Sequence, residues 1–576
     1  MVRIEGLTFT YPGAETPVLK NICTEIEQGD FLAVIGNNGC GKSTLCKTLN
    51  GLIPHFLAGD MDGTVDVDGM DTREYDLGDL TCKVGYVYQD FENQIVCPTV
   101  LEDASYACLN YAMEDYRDRG SRALEICGLS GKEQDYVWQL SGGQKHLLAL
   151  AGAAALGPQV LILDEPIAQL DPAHARMIYD VLRELNQKHG KTILVIEHHT
   201  EYIAEYCSHV LLMRDGQVRW KLPAAEALRR VEELRGSNIF PPQVTLAAYD
   251  MRRQGLLQAD IPLPVTIEEG KRAFGALNHS LSGGRALRER EKAVGRKKQE
   301  VLVSFRDVVM KYRAVKGEPE TVFDGLNLEI RHGEKIALIG SNGAGKSTLL
   351  KLIMGLLKPG AGQVLVTGRD TRHTTPEKLG DMVSLVYQNP EEMFVKDSIQ
   401  ADVEYAMKAR RMPDYSARAE ALLKQFRLEE LAQRDGRLLS GGQMRRASLA
   451  IGIALNPQVL LLDEPTANLD IATRREIMKT LNMLKGITDT VLIATHDMQL
   501  VCDWAERIVV LCGGRVIADG SREEIFSNED VCRRVGIRPP EIYEMGRALG
   551  LEEPCFTIAD FVRHFQQEEG VREVGA

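Results

Sequence analysis

Residues 36 to 44 of the chain read Gly36-Asn-Asn-Gly-Cys-Gly-Lys-Ser-Thr44, and they constrain its architecture more than any other segment. An apolar run from Phe31 to Ile35, typical of a buried strand, leads into them, and a helical pattern from Ser43 to Leu49 follows. Strand, glycine-rich loop and helix in this order form a loop whose backbone N–H groups turn toward phosphates. The pattern therefore predicts a nucleoside triphosphate site on an α/β sheet.

The same pattern occurs a second time as Gly340-Ser-Asn-Gly-Ala-Gly-Lys-Ser-Thr348, after the strand-like run Lys335 to Ile339. Two further segments repeat. Leu140-Ser-Gly-Gly-Gln144 recurs at Leu439, and Leu163-Asp-Glu-Pro166 recurs at Leu462, each 299 residues later (439 against 140, 462 against 163). Repetition at one spacing indicates two homologous halves. A match to the phosphate-loop pattern in both halves is far less expected by chance than a single match.

Bulk properties limit the classes of protein to consider. At 576 residues the chain exceeds one hydrophobic core, and its 44% hydrophobic and 26% charged residues are those of a globular protein. No apolar run reaches the roughly 20 residues of a membrane helix, and no signal-peptide pattern follows Met1, so export is not expected. The formal charge of -14 argues against nonspecific binding of nucleic acid, and the twelve scattered Cys indicate reduced thiols.

Paired carboxylates end a buried strand in each half. Val160-Leu-Ile-Leu leads to Asp164-Glu165, and Val459-Leu-Leu-Leu leads to Asp463-Glu464. Because the carboxyl ends of parallel strands share one edge of a sheet, these acids are expected beside the phosphate loops. We expect the first acid of each pair to hold the magnesium shell together with Ser43 or Ser347, and the second to polarise the attacking water. Lys42 and Lys346 are expected to reach the β- and γ-phosphates.

The repeated Leu-Ser-Gly-Gly-Gln segments, each opening a helical pattern, resemble the signature of the ABC ATPase family, and the resemblance covers nearly the whole chain. It implies two tandem α/β cassettes, each a P-loop RecA-like core with an antiparallel β annex and a helical signature subdomain. Alternating apolar residues at the start of each half fit the annex. The expected boundaries are cassette 1 at 2–241, its C-terminal extension and a charged linker at 242–300, cassette 2 at 301–537 and a C-terminal extension at 538–576.

The resemblance also implies roles for further residues. Tyr11 and Tyr312 would stack on adenine, Gln89 and Gln388 would be Q-loop residues that link magnesium and water to the transporter, and His198 and His496 would be switch histidines. The ATP-binding set comprises these tyrosines with Gly36, Asn37, Asn38, Gly39, Cys40, Gly41, Lys42, Ser43 and Thr44, and with Gly340, Ser341, Asn342, Gly343, Ala344, Gly345, Lys346, Ser347 and Thr348. The signature set comprises Ser141, Gly142, Gly143, Gln144, Ser440, Gly441, Gly442 and Gln443, and the metal set comprises Ser43, Gln89, Asp164, Ser347, Gln388 and Asp463.

In that family the two halves pair head to tail, so that each ATP lies between one half's phosphate loop and the other half's signature. Glu165, Glu464, His198 and His496 would be the catalytic residues, and both sites retain them, which predicts two active sites. Three differences leave open whether the sites turn over equally. Lys145-His146 follows the first signature, Ile167 stands where the second half has Thr466, and His199 stands where it has Asp497.

The segment from Tyr88 to Asp103 resembles the one after the Q-loop in energy-coupling factor (ECF) transporter ATPases, with a weaker copy from Tyr387 to Phe394. This implies an importer motor, peripheral on the cytoplasmic face of the bacterial cell membrane, with a transmembrane coupling subunit and a small membrane subunit that captures a vitamin or a transition-metal ion. Phe240-Pro-Pro-Gln-Val244 and Arg538-Pro-Pro-Glu-Ile542 are matching elements that fit either C-terminal extensions of that group or ordinary helix capping. Pairing of the cassettes within one chain is expected.

Two other functional classes stay open. F-type ABC proteins are also tandem and act on ribosomes, and the basic stretch from Arg285 to Lys298 would favour them. Against this, Glu289 and Glu291 interrupt the stretch and no aromatic residue in it could stack on bases, so no nucleic acid partner is expected. A regulatory or repair clamp would need long coiled-coil insertions, and no extended heptad run interrupts either cassette. Leu281-Ser-Gly-Gly284 lacks the following Gln and is not counted as a signature.

Overall fold

The computed structural model describes residues 2–167, 170, 172–278, 300–312, 320–341, 343–466, 471–484 and 488–572. The chain divides into two compact units. Unit 1 comprises Met1–Ser282 together with Glu541–Ala576, and unit 2 comprises Gly283–Pro540. The end of the chain therefore belongs to the same unit as its beginning. Each unit is described by itself below.

Two sheets form the framework of unit 1. The strands are β1 (Val2–Thr10), β2 (Leu19–Ile26), β3 (Phe31–Gly36), β4 (Asp60–Val67), β5 (Met70–Asp71), β6 (Val84–Val87), β7 (Val160–Asp164), β8 (Thr192–Ile196), β9 (His209–Arg214) and β10 (Gln217–Pro223). One sheet has the order β2-β1-β4-β5 and is antiparallel. The other has the order β10-β9-β3-β8-β7-β6 and is parallel except for the β9–β10 pair. This is the predicted α/β core with an antiparallel annex.

The alternation in β1 changes phase in the middle of the strand. Val2 and Ile4 are buried at even positions, whereas Leu7 and Phe9 are buried at odd positions. The pairing with β2 shifts between Ile4 and Leu7, and an inserted residue of this kind turns the following side chains back to the same face. All four therefore join one core, which the period of two alone would not predict.

The first half of the chain contributes the following α-helices to unit 1. They are α1 (Lys42–Leu49), α2 (Leu52–His55), α3 (Leu77–Thr81), α4 (Val100–Asn110), α5 (Tyr116–Ile126), α6 (Gly142–Ala155), α7 (Pro172–Gln187), α8 (Thr200–Tyr206), α9 (Ala224–Arg229), α10 (Val231–Gly236), α11 (Gln243–Arg253) and α12 (Ile267–Asn278). α4, α5 and α6 pack on one another and form the helical subdomain that ends with the signature helix α6. Its apolar side chains are continuous with the core under β7 and β8.

Unit 2 repeats this architecture. Its strands are β11 (Val301–Tyr312), β12 (Glu320–Arg331), β13 (Lys335–Gly340), β14 (Ala361–Val366), β15 (Arg369–Asp370), β16 (Val383–Val386), β17 (Val459–Asp463), β18 (Thr490–Ala494), β19 (Arg507–Cys512) and β20 (Arg515–Gly520). Its helices are α13 (Lys346–Ile353), α14 (Pro376–Leu379), α15 (Ile399–Ala409), α16 (Tyr415–Gln425), α17 (Gly441–Ile453), α18 (Ile471–Met483), α19 (Met498–Trp504), α20 (Arg522–Phe526) and α21 (Glu529–Val535). The sheet orders are β12-β11-β14-β15 and β16-β17-β18-β13-β19-β20, as in unit 1.

The last two helices, α22 (Glu541–Ala548) and α23 (Ile558–Arg572), pack on α11 and α12 and complete unit 1. We call these four helices the extension bundle. Phe274 from the first extension meets Phe561 from the second edge to face, with ring centroids 5.1 Å apart. A Cβ atom on Gly270 would lie 2.5 Å from the sulfur of Met545, so the Met545 side chain packs directly on the α12 backbone at this glycine. The bundle buries one apolar core from both extensions.

The two Pro-Pro segments meet at reciprocal helix caps within this bundle. The backbone N–H of Val244, in the first turn of α11, donates to the Glu541 carboxylate at 3.2 Å. The backbone N–H of Ile542, in the first turn of α22, donates to Oε1 of Gln243 at 2.9 Å. Each side chain satisfies a helix-terminal donor of the other extension. These segments therefore cap helices, as one of the two interpretations expects, and they also join the two extensions; the resemblance to the extensions of ECF ATPases stays a prediction.

The stretch from 242 to 278, predicted as an extension leading into a linker, is folded in α11 and α12, with Pro262 and Pro264 in the connection between them. The charged stretch from Arg285 to Lys298 and the segment Leu281-Ser-Gly-Gly284 lie outside the described residues. All twelve cysteines are free thiols, as expected. The described residues include no helix that is both long and apolar enough to cross a membrane.

Replacing Phe561 with Ala should remove the central ring of the extension bundle. Because the side chain is fully buried, we expect the free energy of unfolding of unit 1 to fall by about 3–5 kcal/mol. Urea denaturation would measure the loss, and hydrogen exchange in peptides from α11 and α12 would localise it. The control is Arg563→Ala on the same helix, which removes a half-exposed side chain and should change stability by less than about 0.5 kcal/mol. Unchanged exchange in α11 and α12 would contradict the packing described.

Candidate functional site

The phosphate loops follow β3 and β13 and end in α1 and α13, as predicted. In the first loop the Lys42 ammonium donates to the carbonyl oxygens of Gly36 at 2.8 Å and Asn37 at 3.1 Å. In the second, Lys346 donates to Gly340 at 2.8 Å and Ser341 at 3.3 Å. Both lysines are buried, so their charge is held inside the curve of the loop, where a phosphate could replace the carbonyl acceptors. Asn342 lies outside the described residues.

Gly41 and Gly345 occupy the turn from each loop into its helix. Their φ angles are 100° and 97°, in the left-handed region that favours glycine. A Cβ atom on Gly41 would also lie 2.8 Å from a methyl group of Leu19, and one on Gly345 would lie 2.8 Å from the ring of Phe323. Backbone conformation and close packing therefore both require glycine at this turn. The turn aims the first N–H groups of α1 and α13 into the loop.

Each predicted adenine-stacking tyrosine lies beside its phosphate loop. The Tyr11 and Thr44 hydroxyl oxygens are 3.2 Å apart, and those of Tyr312 and Thr348 are also 3.2 Å apart. Tyr11 is half-buried and Tyr312 is exposed, so part of each ring is open to solvent. The hydroxyl contact anchors the ring at the loop and leaves an aromatic face available for a base. Stacking on adenine stays a prediction.

The first acid of each strand-end pair contacts its phosphate loop. Ser43 lies close enough to Asp164, and Ser347 close enough to Asp463, to influence the pKa of each carboxyl. Burial raises both pKa values, the neighbouring Glu165 or Glu464 charge adds to the rise, and the serine hydroxyls oppose it. In unit 1 the Tyr86 hydroxyl also donates to Asp164 at 3.2 Å. Tyr86 was not predicted, although its place in a buried strand next to β7 could have suggested it.

These groups fit magnesium bound together with a nucleotide. Oδ1 of Asp463 is buried and has no hydrogen-bond partner in the described part of the chain, as expected for an oxygen that faces a cation. Ser43, Asp164 and Gln89 in unit 1, and Ser347, Asp463 and Gln388 in unit 2, offer the oxygen ligands that Mg²⁺ prefers. The described residues include no group of three or more His, Cys, Asp or Glu able to hold a metal alone. Phosphate oxygens would supply the remaining ligands, and the bound cation would neutralise their charge.

The second acid of each pair has a strained backbone. Glu165 and Glu464 have φ angles of 52° and 46°, in a region that non-glycine residues rarely occupy. Their backbone N–H groups donate across the sheet edge to Ile196 at 3.1 Å and to Ala494 at 2.8 Å, which holds the conformation. This turn directs both carboxylates toward the histidine that follows the neighbouring strand. Strain at the same position in both units is consistent with a functional site.

Each predicted switch histidine contacts the acid of its own unit. Nε2 of His198 is 3.2 Å from Oε1 of Glu165, and Nδ1 of His496 is 3.0 Å from Oε1 of Glu464. In unit 1, Nε2 of Gln89 also donates to Glu165 at 3.0 Å. No hydrogen bond between Gln388 and Glu464 is present among the described residues of unit 2. The geometry brings acid, histidine and glutamine together in unit 1, but only acid and histidine in unit 2.

A buried carboxylate positions the histidine segment in each unit, from a different place in the sequence. In unit 2, Asp497 accepts from Thr466 at 2.9 Å and caps α19 through Leu500 at 3.1 Å. In unit 1, Glu197 accepts from the backbone N–H of His198 at 2.7 Å and from Nδ1 of His199 at 2.8 Å. Although burial opposes it, the His199 contacts hold the pKa of Glu197 below its usual value.

Two of the three sequence differences thus have one structural explanation. Thr466 and Asp497 are hydrogen-bond partners, and neither type is present at Ile167 and His199. Glu197 supplies the missing carboxylate in unit 1 and also accepts from the buried Tyr179 hydroxyl at 2.9 Å. Sequence reasoning missed Glu197, although a charged residue between an apolar strand and two histidines was a detectable signal.

The signature segments open α6 and α17, as predicted. The Gln144 N–H donates to the Ser141 hydroxyl at 3.3 Å, and the Ser141 N–H donates to the Gln144 side chain at 3.0 Å. In unit 2 the Ser440 N–H donates to the Gln443 side chain at 3.1 Å. These pairs are capping boxes, so the two glutamines stabilise the helix start. The N–H groups of Gly142, Gly143, Gly441 and Gly442 lie in the first turn, where an anion is favoured.

His146, the third sequence difference, lies buried in α6. Its ring stacks on Phe91 with centroids 4.2 Å apart. Neither ring nitrogen has a hydrogen-bond partner among the described residues. Burial lowers the pKa of His146 to about 4, so the ring is neutral at pH 7. The stack replaces a polar contact that unit 2 makes at the same helix position.

We expect His146 to make unit 1 acid-sensitive. The pKa of His146 is lower in the folded than in the unfolded chain. Its contribution to the free energy of unfolding is therefore complete above pH about 6.5 and is lost as the pH falls through about 4. His146→Phe keeps the stack without the titrating group. Relative to this variant, the native protein should lose about 2 kcal/mol between pH 7 and pH 5. Urea unfolding in a Trp504→Phe background, where Trp138 and Trp220 report on unit 1, measures the difference. Equal pH dependence of the two proteins would contradict the prediction.

Known proteins match the chain along both repeats. The sequence profile of the ABC transporter family matches residues 19–168 and 323–467. A provisionally named ABC transporter ATP-binding protein of Methanosarcina mazei is 31% identical over 565 residues, which cover 98% of this chain and 96% of that protein. One of the same description from Enterococcus faecalis is 30% identical over 569 residues, 98% of each chain. The solved structure of CbiO1 from Clostridium perfringens, described as part of the ABC transporter complex CbiONQ, is 31% identical, covers 44% of this chain and 100% of its own, and has a TM-score of 0.37.

The profile matches include both phosphate loops and both strand-end acid pairs, and the relatives extend over nearly the full length of the chain. The two units each present a phosphate loop, a strained glutamate, a contacting histidine and a capped signature helix. Sequence and geometry therefore agree on a nucleotide-hydrolysing cassette that occurs twice. This chain belongs to the ABC transporter family and is an ATPase with two ATP-binding cassettes in one polypeptide.

Proposed function

We propose that this protein is the motor subunit of a membrane importer of the ECF type, which transports a vitamin or a transition-metal ion. It would work on the cytoplasmic face of the membrane with a transmembrane coupling subunit and a small capture subunit. The observation that carries the proposal is the 3.0 Å hydrogen bond from Gln89 to Glu165. It joins the proposed general base to a segment whose far end presents apolar side chains to solvent.

That segment leads from the site to the surface within a few residues. After Gln89 the chain makes a short 3₁₀ turn, Phe91–Gln94, and reaches Val96, whose side chain is 63% exposed. The Val137 N–H donates to the Pro98 carbonyl at 2.9 Å, and this bond holds the short turn Val137–Gln139 against the segment that follows Val96. In that turn Trp138 is 66% exposed and stacks on Tyr136, with centroids 4.2 Å apart. Exposed aromatic and aliphatic groups side by side support a protein-docking surface.

Cassette 2 presents different chemistry at the same place. Val395, the counterpart of Val96, is 62% exposed, but Asp435 and Arg437 stand where cassette 1 has Tyr136 and Trp138. Nη2 of Arg437 is 2.7 Å from Asp435, so this turn carries an exposed ion pair in place of an aromatic stack. The two cassettes would therefore bind two different segments of one asymmetric partner. A single-chain coupling subunit with two unlike docking segments fits this pattern.

The catalytic proposal follows from the contacts within each cassette. Glu165 and Glu464 would polarise the attacking water, and His198 and His496, at 3.2 and 3.0 Å from them, would hold them in place and face the γ-phosphate. Lys42 and Lys346 would exchange their loop carbonyls for phosphate oxygens. By resemblance to the family, each ATP would also contact the signature of the other cassette, with Ser141 and Ser440 at its γ-phosphate.

We expect the double variant Glu165→Gln, Glu464→Gln to lower kcat for ATP hydrolysis by about 100-fold or more, because an amide cannot accept the proton of the attacking water. Each single variant then measures one site's share of turnover. The single variant that loses less kcat identifies the cassette that hydrolyses ATP more slowly. Phosphate release from the purified full chain provides the measurement, and the matched control is Glu184→Gln, an exposed carboxylate on α7. Full activity in all three site variants would refute the assignment of the glutamates.

Affinity purification of the tagged chain from gently solubilised membranes tests the transport proposal. We expect a polytopic membrane protein and a second, smaller one to copurify, and Trp138→Ala should reduce their recovery because it removes the largest exposed apolar group of the docking turn. Arg122→Ala, an exposed polar change in the same helical subdomain, is the control. Recovery of ribosomal proteins without a membrane partner would replace the importer proposal with the F-type alternative.

A further inference from the structure

The signature helix of cassette 2 is bonded directly to its own Q-loop, here residues 387–394. The Arg445 guanidinium, two residues after the signature glutamine, donates to the backbone carbonyls of Tyr387 at 2.9 Å and Gln388 at 2.8 Å. Arg445 is buried, and burial lowers its pKa to about 10, so it stays charged at neutral pH. Two charge-assisted hydrogen bonds shielded from solvent therefore join α17 to the residue proposed to contact magnesium.

The equivalent position in cassette 1 is His146, which makes a different contact with its Q-loop, residues 88–95. As shown above, its neutral ring stacks on Phe91 and makes no hydrogen bond in the described residues. The polar contact between helix and loop has moved one residue earlier and to the surface. Nζ of Lys145 lies 2.8 Å from Oε1 of Glu92, and these side chains are 25% and 59% exposed.

The residue at the position of Lys145 is uncharged in cassette 2. Met444 stands at the position of Lys145, so the neighbouring Glu391 cannot form the same ion pair with it. Helix and loop are thus connected by a buried cation on backbone oxygens in cassette 2, and by an exposed ion pair over an aromatic stack in cassette 1. Salt screens an exposed pair strongly and a buried one much less.

We infer that Arg445 in cassette 2, and Lys145 with His146 in cassette 1, are positioning residues that connect each Q-loop to the signature helix of its own cassette. The connection is tight and insensitive to salt in cassette 2. In cassette 1 it is weak and sensitive to salt. A movement of Gln388 therefore carries α17 with it, whereas Gln89 moves more independently of α6. The two cassettes pass the state of their nucleotide to the helical subdomain unequally. The inference does not depend on which partner the protein serves.

Hydrogen–deuterium exchange on the nucleotide-free full chain, at about 0.05 M and 0.5 M salt, tests this difference. Raising the salt should speed exchange in peptides covering 88–95 by about two- to fivefold, the range expected for an exposed ion pair, and should leave 387–394 unchanged. Lys145→Met should speed exchange in 88–95 at low salt and abolish its salt response. Glu184→Gln, which breaks an exposed pair on α7, is the control that should affect neither segment.

Arg445→Met should speed exchange in 387–394 by about tenfold or more, because it removes charge-assisted bonds, and should leave 88–95 unchanged. Arg445→Lys, which keeps the charge, should restore part of the protection. In a Glu165→Gln background, which silences cassette 1, the same Met variant should lower the remaining kcat for ATP hydrolysis about tenfold while KM for ATP changes less than about twofold, since the loop positions the reaction rather than binding ATP. Peptides from β17 should exchange as in the native chain.

Three results would overturn the inference. One is a salt response of equal size in both Q-loops, and another is unchanged exchange in 387–394 after Arg445→Met. The third is faster exchange throughout cassette 2, β17 included, without recovery in Arg445→Lys, because that pattern marks lost stability of the cassette. His146→Arg adds a reverse test, since a cation at this position should slow exchange in 88–95 and reduce its salt response.

Discussion

The parallel arrangement of β3, β8, β7 and β6, and of their counterparts in unit 2, is the constraint on which the rest of the structure depends. Parallel strands bring their carboxyl ends to one edge, and each of these ends carries one part of the site. The phosphate loop follows β3, the acid pair follows β7, the histidine follows β8 and the Q-loop follows β6. Gln89 and Glu165, which are 76 positions apart in the chain, therefore lie within hydrogen-bonding distance of each other.

The two cassettes keep this framework and differ in the groups that support it. In each cassette a buried carboxylate accepts hydrogen bonds from the backbone at or just after the switch histidine. Glu197 does so in cassette 1 and Asp497 in cassette 2, and these two positions do not correspond in sequence. Each needs a contact between signature helix and Q-loop, and Arg445 and Lys145 provide it with different exposure to solvent. A buried polar group must find a partner, but the fold does not specify which neighbour supplies it. The supporting residues thus differ between the two cassettes, whereas the strand-end glutamates and the histidines that contact them are the same.

In the extension bundle, the end of the chain packs with the extension of the first cassette. Glu541 and Gln243 cap each other's helices, and Phe274 and Phe561 share one core, so the end of the chain is part of the first compact unit. Covalent fusion and noncovalent packing thus both connect the two halves of the sequence.

Repeats, phosphate loops, strand-end acids and helix-opening signatures were all determined by the sequence itself, since each depends on local spacing and on the residue types that a strand, a glycine turn or a helix start requires. Tertiary structure alone decided the rest. Local patterns could not reveal that Tyr86 donates to Asp164, that His146 is buried without a hydrogen-bond partner, or that residues 541–572 fold with α11 and α12. These facts depend on which distant segments meet and on how buried charges and donors are satisfied, and burial and partner choice arise only when the chain is packed.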